Sequence, residues 1–270
     1  MGKFDGILIC SDLDNTLVTH APDDHYKLFF CDEDVQAIRY FQREGGRFTV
    51  ISGRNPATVR SLLQGFTANA PIGGFNGALI ENEDGTLLYN GGCKDLKLLH
   101  LAQKLWEENQ ELYFVNLHVS DHGTLECSRT ERGEQFFVEP KEMCAKLPFD
   151  TYNLVVGGET VGGVPLCELI PTYLDDTLTY TRPLYFVVEI SLREDTKGAA
   201  LLRIKQAVGA RLAVAVGDYE NDIEMLRAAD IGYAVENACE ALRAVADRTA
   251  PACGKGAIAA IVAELETRDL

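Results

Sequence analysis

The sequence has no long uninterrupted run of apolar residues. A helix that crosses a membrane needs about 18 or more such residues in succession. The sequence also lacks a basic stretch followed by a short apolar segment at its start, which is the pattern of a secretory signal. We therefore expect a cytoplasmic protein with no membrane partner.

Closely spaced cysteines are also absent. The 8 cysteines are scattered along the chain, and no two stand in the C-x-x-C spacing of zinc sites and thiol redox centres. In a reducing compartment such thiols stay free. The sequence thus predicts neither a disulfide framework nor a thiolate metal site.

Positive charge is scarce, because 25 Lys and Arg residues face 41 Asp and Glu residues and the formal net charge is −16. The field of such a chain repels polyanions, so nucleic acid is excluded as a partner. A small anionic substrate would need local help from a metal ion, a lysine or the N-terminus of a helix.

Short apolar runs that end in polar clusters alternate with amphipathic segments at both ends of the sequence. Residues 6–10 form such a run shortly before Asp12, and residues 47–51 form another directly before Ser52. Runs of this kind are typical of buried parallel strands, and the segment between them has apolar residues at helical spacing. The pattern predicts an α/β fold with a doubly wound parallel sheet, a Rossmann-like core.

The middle of the sequence departs from this pattern. Residues 85–191 show strands and helices in mixed order, and the regular alternation resumes at residue 192. The sequence therefore predicts an inserted α+β cap domain at 85–191. The core domain would then consist of residues 1–84 and 192–270.

Acidic residues cluster where two of the predicted strands end. Asp12 and Asp14 are two residues apart, so in an extended chain they project from the same side. Asp218 follows a later strand, with Asp222 four residues further on. Neighbouring carboxylates repel unless a cation shares the site, and oxygen ligands suit Mg²⁺. We expect a Mg²⁺ site here, in which one member of the first pair attacks a substrate while the other moves protons.

A lysine and a serine can complete such a site. Lys197 opens a predicted helix and offers a point charge for a phosphoryl oxygen, and the Ser52 hydroxyl and nearby backbone N–H groups can donate to another. Phosphoryl transfer mostly needs positioning and charge neutralisation. Taken singly, an aspartate at a strand end is ordinarily a turn or cap residue. The joint occurrence of the clusters favours a catalytic site.

The order of these clusters resembles the four motifs of the haloacid dehalogenase-like superfamily. The matching segments are Asp12-Leu13-Asp14-Asn15-Thr16, Ser52-Gly53-Arg54, Lys197-Gly198 and Gly217-Asp218-Tyr219-Glu220-Asn221-Asp222. Asn76-Gly77-Ala78 and the large insertion after the second motif make the chain similar to the Cof-like phosphatases, which are themselves similar to sucrose-phosphate phosphatases.

The resemblance implies a Mg²⁺-dependent phosphatase that acts on a small phosphorylated metabolite, with a sugar phosphate as the first expectation. Asp12 would be the nucleophile that forms an aspartyl-phosphate. Asp14 would protonate the leaving alcohol and then activate water. The implied metal ligands are Asp12, the backbone carbonyl of Asp14, Asp218 and Asp222. The implied phosphate-binding residues are Thr16, Ser52, Gly53, Lys197 and Asn221.

Other functions are compatible with part of the pattern. A phosphomutase would return the phosphoryl group from the aspartate to the sugar. A dehalogenase is disfavoured because it has no need of Asp14. A sensor that binds a phosphorylated ligand without turnover has no need of the nucleophile Asp12.

His118 and His122 are four residues apart, which on a helix would suit a metal pair. They follow a strand-like run, however, and Gly123 comes next. We therefore expect surface histidines near a turn of the cap.

Overall fold

The computed structural model describes residues 2–21, 24–63, 65–94, 96–119, 123–128 and 150–267. The chain divides into two compact units, of which the first comprises Met1–Asn90 and Thr196–Leu270 and the second Gly91–Asp195. None of the helices in the described part of the chain has the length and apolar character of a membrane span.

The strands, in chain order, are β1 (Ile7–Ser11), β2 (Val18–Ala21), β3 (Asp24–Phe30), β4 (Arg47–Val50), β5 (Ile72–Gly74), β6 (Leu79–Glu81), β7 (Leu87–Asn90), β8 (Phe114–Val119), β9 (Gly123–Ser128), β10 (Thr151–Gly157), β11 (Thr160–Val161), β12 (Val164–Pro165), β13 (Leu178–Leu184), β14 (Val187–Leu192), β15 (Leu212–Gly217), β16 (Ile231–Val235) and β17 (Arg248–Ala250). The α-helices are α1 (Asp32–Arg43), α2 (Pro56–Leu62), α3 (Lys97–Glu108), α4 (Leu166–Leu169), α5 (Lys197–Ala207), α6 (Ile223–Ala228), α7 (Glu240–Arg243) and α8 (Ala257–Glu266). Short 3₁₀ turns lie at Phe75–Gly77, Ile170–Tyr173 and Glu220–Asp222.

A parallel five-stranded sheet in the order β17-β16-β15-β1-β4 forms the centre of the first unit. Strand β1 is buried along its whole length, as the apolar run predicted, and pairs with β15 on one side and β4 on the other. The two ends of the sequence thus share one sheet, which confirms the predicted α/β class with a parallel core sheet. In such a sheet the carboxyl ends of the strands lie at one edge, where ligands bind.

Two differences from the predicted elements lie in the first unit. The segment between the apolar runs at 6–10 and 47–51, for which only helical spacing was noted in the sequence, also contains an antiparallel hairpin of β2 and β3. Val18 pairs with Phe30 across it, and both side chains are buried, so one apolar pair ties the hairpin to the core. Strand β7 pairs with β6, and this pairing keeps residues 87–90 in the first unit, beyond the boundary expected after residue 84.

The second unit is built on an antiparallel five-stranded sheet in the order β13-β14-β10-β8-β9. Helix α3 contacts β8 and β10. Its apolar residues, among them Leu105 and Trp106, are buried in one core with Leu117, Leu154 and Ile190 of the sheet. Strand β14 extends to residue 192, so this unit ends at Asp195, four residues past the expected boundary at 191.

A buried carboxylate joins the first and last helices of the first unit. Asp34 on α1 is 1% exposed, and its Oδ1 accepts a hydrogen bond from the backbone N–H of Ala259 at 2.9 Å. Ala259 lies in the first turn of α8, where N–H groups have no partner within the helix. Asp34 therefore caps α8 from a distant part of the chain.

We expect Asp34→Ala to lower the free energy of unfolding by about 1–2 kcal/mol, because it leaves a partly buried N–H group of α8 without its acceptor. Urea denaturation measures the change. The neighbouring Asp32→Ala is the control, because Asp32 is exposed and its loss should change the same quantity by less than about 0.5 kcal/mol. Equal effects of the two substitutions would contradict the capping role.

Candidate active site

Three strands of the parallel sheet end in the polar residues that the sequence singled out. Asp12 directly follows β1, Ser52 lies two residues after β4, and Asp218 directly follows β15. The N–H of Asp12 donates to the carbonyl of Val216 at 2.9 Å, and the N–H of Ser52 donates to the carbonyl of Gly73 at 3.0 Å. These bonds fix the backbone at the sheet edge and bring the predicted clusters together.

Lys197 lies at the centre of this cluster. It is the first residue of α5, and its side chain is 1% exposed. Its Nζ lies 2.6 Å from Asp12 Oδ1 and 2.7 Å from Asp222 Oδ1. Burial disfavours the charge of this ammonium group, but the carboxylates of Asp12 and Asp222 outweigh that effect and raise the pKa of Lys197. Lys197 is therefore protonated, and it holds two carboxylates in fixed positions.

Asp12, Asp218 and Asp222 each place a carboxylate oxygen within 4.8 Å of the others. Asp222 is the most firmly held of the three, since its Oδ2 accepts from the backbone N–H groups of Asp218 at 3.0 Å and Tyr219 at 3.2 Å. Burial, with the nearby carboxylate of Asp222 as the second cause, raises the pKa of Asp218 to about 7. Three carboxylates thus share a buried space with one lysine, and negative charge is in excess.

This arrangement fits a divalent cation. The Oδ1 of Asp218 accepts from the Thr16 hydroxyl at 3.0 Å, and the Oδ1 of Asp12 accepts from Lys197. Asp12 Oδ2 and Asp218 Oδ2 take part in none of the hydrogen bonds between described residues, so both are available as ligand atoms. Carboxylate oxygens are ligands that Mg²⁺ accepts, and its charge would offset the excess. Both oxygens of Asp222 already accept hydrogen bonds, Oδ1 from Lys197 and Oδ2 from backbone N–H groups. Asp222 is therefore suited to holding the other groups of the site in place and less suited to binding the cation directly.

Asp14 lies apart from the buried carboxylates and forms an ion pair with Arg54. The guanidinium group is bidentate, with Nε 2.7 Å from Asp14 Oδ2 and Nη2 2.7 Å from Asp14 Oδ1. Both side chains remain partly open to solvent. Asn15 has a left-handed backbone with φ of 60° and turns the chain directly after Asp14. No role of its own was predicted for Arg54, although its place in the second motif was the available signal.

Ser52 and Gly53 form the turn that carries Arg54. Ser52 is buried, and its Oγ accepts from the backbone N–H of Arg54 at 3.2 Å. Gly53 lies between Ser52 and Arg54, and because it has no side chain its backbone N–H group is not shielded. The serine hydroxyl and this N–H group are the phosphate donors predicted from the sequence.

Asn221 lies in the 3₁₀ turn after β15, and its Nδ2 donates to Asn76 Oδ1 at 3.4 Å. Asn76 is itself buried and has a left-handed backbone with φ of 55°. Gly77 follows with φ of 107°, and an added Cβ would lie 2.4 Å from the carbonyl oxygen of Thr196. Only glycine fits there without displacing backbone. This close approach sets the 3₁₀ turn at Phe75–Gly77 against the start of α5.

His118 does not lie where the sequence suggested. His118 is in β8, where burial lowers its pKa to about 4. It is thus a half-buried, neutral side chain of the sheet, whereas the sequence suggested a surface histidine at a turn. His122 lies outside the described residues.

A family model described as haloacid dehalogenase-like hydrolase matches residues 9–262. The 5-amino-6-(5-phospho-D-ribitylamino)uracil phosphatase of Bacillus subtilis is 24% identical over 244 residues, with 89% of this chain and 88% of that protein covered. A second protein of Bacillus subtilis, named a phosphatase, is 26% identical over 271 residues, with 89% and 93% covered. The solved structure of a haloalkanoate-superfamily phosphatase from Bacteroides thetaiotaomicron has a TM-score of 0.78 at 19% identity and covers 97% of this chain and 96% of its own.

We expect Asp218→Asn to stabilise the metal-free protein, because it removes one of three buried like charges and keeps an oxygen that can accept from Thr16. The pKa of Asp218 is raised on folding, so the unsubstituted protein loses stability as pH rises from about 4 to 7. The gain should therefore grow over that interval and reach on the order of 4 kcal/mol above it, since each pKa unit corresponds to about 1.4 kcal/mol.

Thermal unfolding in EDTA between pH 4 and 8 measures this gain. Added Mg²⁺ should stabilise the parent protein more than the variant, because the variant lacks one carboxylate ligand. A variant that is less stable than the parent in EDTA at pH 8 would contradict the account.

Proposed function

Since the chain belongs to the haloacid dehalogenase-like hydrolase family, we propose that it is a Mg²⁺-dependent phosphatase acting through a phosphorylated Asp12. The observation that carries this proposal is the buried Lys197 with one carboxylate on each side, at 2.6 Å from Asp12 and 2.7 Å from Asp222. Binding alone has no use for a nucleophile held in this way.

Asp12 is the proposed nucleophile. One of its oxygens is fixed by Lys197, and the other, which makes no hydrogen bond to a described residue, would attack the substrate and bind the cation. Attack of this carboxylate on phosphorus forms the aspartyl-phosphate and releases the alcohol, and water then attacks the phosphorus to free phosphate. Lys197 stays charged throughout the reaction, because two carboxylates raise its pKa. It can therefore offset the negative charge on the oxygens of the transferred phosphoryl group.

Asp14 is the proposed acid and base. It would give a proton to the departing alcohol oxygen and later take one from the attacking water. In the structure its carboxylate is held by Arg54 through two bonds of 2.7 Å. Arg54 thus fixes the orientation of the group that moves the proton, which makes it a positioning residue in this proposal.

The metal would be held by Asp12 and Asp218 with the backbone carbonyl of Asp14, and Asp222 would support the site through the N–H groups and lysine that it binds. Bound Mg²⁺ would supply charge neutralisation and orientation of the phosphoryl oxygens. Like charges at Asp12 and Asp218 support this assignment, since a cation removes the repulsion that their proximity creates.

The remaining predicted residues divide into two groups. Ser52, the N–H of Gly53 and the amide of Asn221 are the proposed donors to phosphoryl oxygens, together with Lys197. The Thr16 hydroxyl donates a hydrogen bond to Asp218 Oδ1 at 3.0 Å. We propose that Thr16 positions this carboxylate and also lies near the phosphate of the substrate.

We propose a small phosphorylated metabolite with a sugar or polyol skeleton as the substrate, and the second unit as the cap that selects it. The net charge of −16 disfavours polyanions as substrates. One of the two Bacillus subtilis relatives is named as the phosphatase of a compound with a phosphorylated ribityl chain, which supports the choice of polyol phosphates for the first assays.

We expect the purified protein to hydrolyse p-nitrophenyl phosphate only when Mg²⁺ is present. Asp12→Asn should lower kcat by about a thousandfold or more, because an amide cannot attack phosphorus. Continuous measurement of p-nitrophenol release with Mg²⁺ and with EDTA tests both statements.

Asp84→Asn is the matched control, because Asp84 lies in an exposed turn, and it should keep full activity. Full activity in EDTA, or in a folded Asp12→Asn protein, would overturn the mechanism. With a sugar phosphate as the substrate, an isomerised sugar phosphate as the product would instead indicate a phosphomutase. A rise in Tm when the sugar phosphate is added, without turnover, would indicate a sensor.

We expect Arg54→Lys to lower kcat about tenfold or more with little change in KM, because a lysine cannot form the bidentate bond that orients Asp14. Arg60→Lys is the control, since Arg60 forms an ion pair with Glu81 and has no part in the proposed reaction. An unchanged kcat in Arg54→Lys would show that the orientation of Asp14 does not depend on the guanidinium group.

A further inference from the structure

The turn between β16 and α7, residues 236–239, is firmly held at the carboxyl edge of the parallel sheet, and we call it the brace. The N–H of Glu236 donates to the carbonyl of Ala250 at 3.0 Å, and the N–H of Ala238 donates to the carbonyl of Val235 at 2.9 Å. Ala238 is also buried in the core of the first unit. The brace can therefore serve as a fixed point for the segments that bond to it.

Two of those segments belong to the candidate active site. The N–H of Cys239 donates to the carbonyl of Asp218 at 2.8 Å. The side-chain Nδ2 of Asn237 donates to the carbonyl of Asn15 at 2.8 Å, and Asn15 directly follows Asp14. One short turn of the first unit is thus hydrogen-bonded both to the segment after β15 and to the segment after β1.

The side chain of Asn237 joins distant parts of the chain. An asparagine in an exposed turn ordinarily bonds to the backbone of its own turn. Asn237 is exposed, but its Nδ2 reaches Asn15, which is 222 positions away in the sequence. Its Oδ1 accepts from the backbone N–H of Cys253 at 2.8 Å. Both polar atoms of this carboxamide therefore hold segments other than its own.

Asn15 has a backbone that needs such support. Its φ of 60° lies in the left-handed region, which residues other than glycine adopt at a cost and keep only where their surroundings fix it. The N–H of Asn15 donates to the carbonyl of Val18 at 2.8 Å, and its carbonyl accepts from Asn237. The peptide groups on both sides of Asn15 are thus held, and the first of them contains the carbonyl of Asp14.

We propose that Asn237 is a positioning residue of the active site, which fixes the segment of Asp14 and Asn15 relative to Asp218. This inference rests on the proposed function, in which the Asp14 carbonyl and the Asp218 carboxylate are ligands of one Mg²⁺. That ion requires nearly ideal placement of its ligands, so freeing the segment of Asp14 weakens its binding. Asn237 acts through Asn15 and touches neither metal nor substrate in this proposal.

Two substitutions separate the bonds of Asn237. Asn237→Ala removes both of them. Asn237→Asp keeps an oxygen that can accept from the N–H of Cys253 and removes the donor to the carbonyl of Asn15. If the bond to Asn15 carries the effect, the two variants should be impaired alike.

Asn69→Asp is the matched control. The carboxamide of Asn69 also joins two backbone groups, since its Oδ1 accepts from the N–H of Phe48 at 2.7 Å and its Nδ2 donates to the carbonyl of Gly46 at 3.0 Å. These bonds lie at the amino end of β4, at the opposite edge of the sheet from the candidate site. The control therefore loses the same kind of bond and gains the same charge away from Asp14.

Calorimetric titration with Mg²⁺ is the first readout. Both Asn237 variants should bind Mg²⁺ about threefold or more weakly than the parent, the effect of one hydrogen bond, and Asn69→Asp should bind it as the parent does. An added negative charge by itself favours a cation, so weaker binding by Asn237→Asp reports the lost bond. Equal or tighter binding by Asn237→Asp would overturn the inference.

The rate of p-nitrophenyl phosphate hydrolysis separates positioning from a general structural role. In both Asn237 variants the Mg²⁺ concentration at half-maximal rate should rise about threefold, and kcat at saturating Mg²⁺ should equal that of the parent. A fall in kcat that saturating Mg²⁺ does not restore would show a merely structural role and would contradict the proposal.

Amide hydrogen exchange in EDTA, followed by NMR spectroscopy, tests the positioning without metal or turnover. The N–H of Asn15 should exchange about threefold or more faster in both Asn237 variants, and at the parent's rate in Asn69→Asp. If the parent binds no Mg²⁺ and hydrolyses nothing, the proposed function fails, yet faster exchange would still support the positioning of Asn15 by Asn237. Unchanged exchange would overturn the inference whether or not the protein is a phosphatase.

Discussion

The ion pairs of Lys197 with Asp12 and Asp222 are the interaction on which the rest of the site depends. A buried ammonium group is costly to desolvate unless carboxylates compensate it, and here it has one on each side. Removing Lys197 would leave two buried carboxylates without a cationic partner, whereas removing either carboxylate would leave the lysine with only the other one. This requirement links β1, the N-terminus of α5 and the turn after β15 into one rigid group.

Without a cation, the same cluster of side chains carries more negative than positive charge. One lysine faces three carboxylates whose oxygens lie within 4.8 Å of one another, and the pKa of Asp218 is raised to about 7 as a result of burial and repulsion. The fold therefore sacrifices stability to hold oxygen ligands together.

The sequence predicted the parallel sheet and the meeting of Asp12, Ser52 and Asp218, because apolar runs that stop at polar residues mark strand ends and parallel strands end at one edge. It did not reveal the pairing of Asp14 with Arg54, which depends on how two turns approach in space. The hairpin of β2 and β3 was missed because apolar and polar residues do not alternate along it, and Leu28, Phe29 and Phe30 are consecutive.

The central claim is that Asp12 carries the phosphoryl group. Reaction with p-nitrophenyl phosphate and Mg²⁺, rapid quenching in acid and reduction with tritiated borohydride converts an aspartyl-phosphate to labelled homoserine. Peptide mapping should then find the label at position 12, within the segment that follows β1, and Asp12→Asn protein should carry none. Label at another aspartate, or no label during steady turnover with phosphate release, would contradict the account.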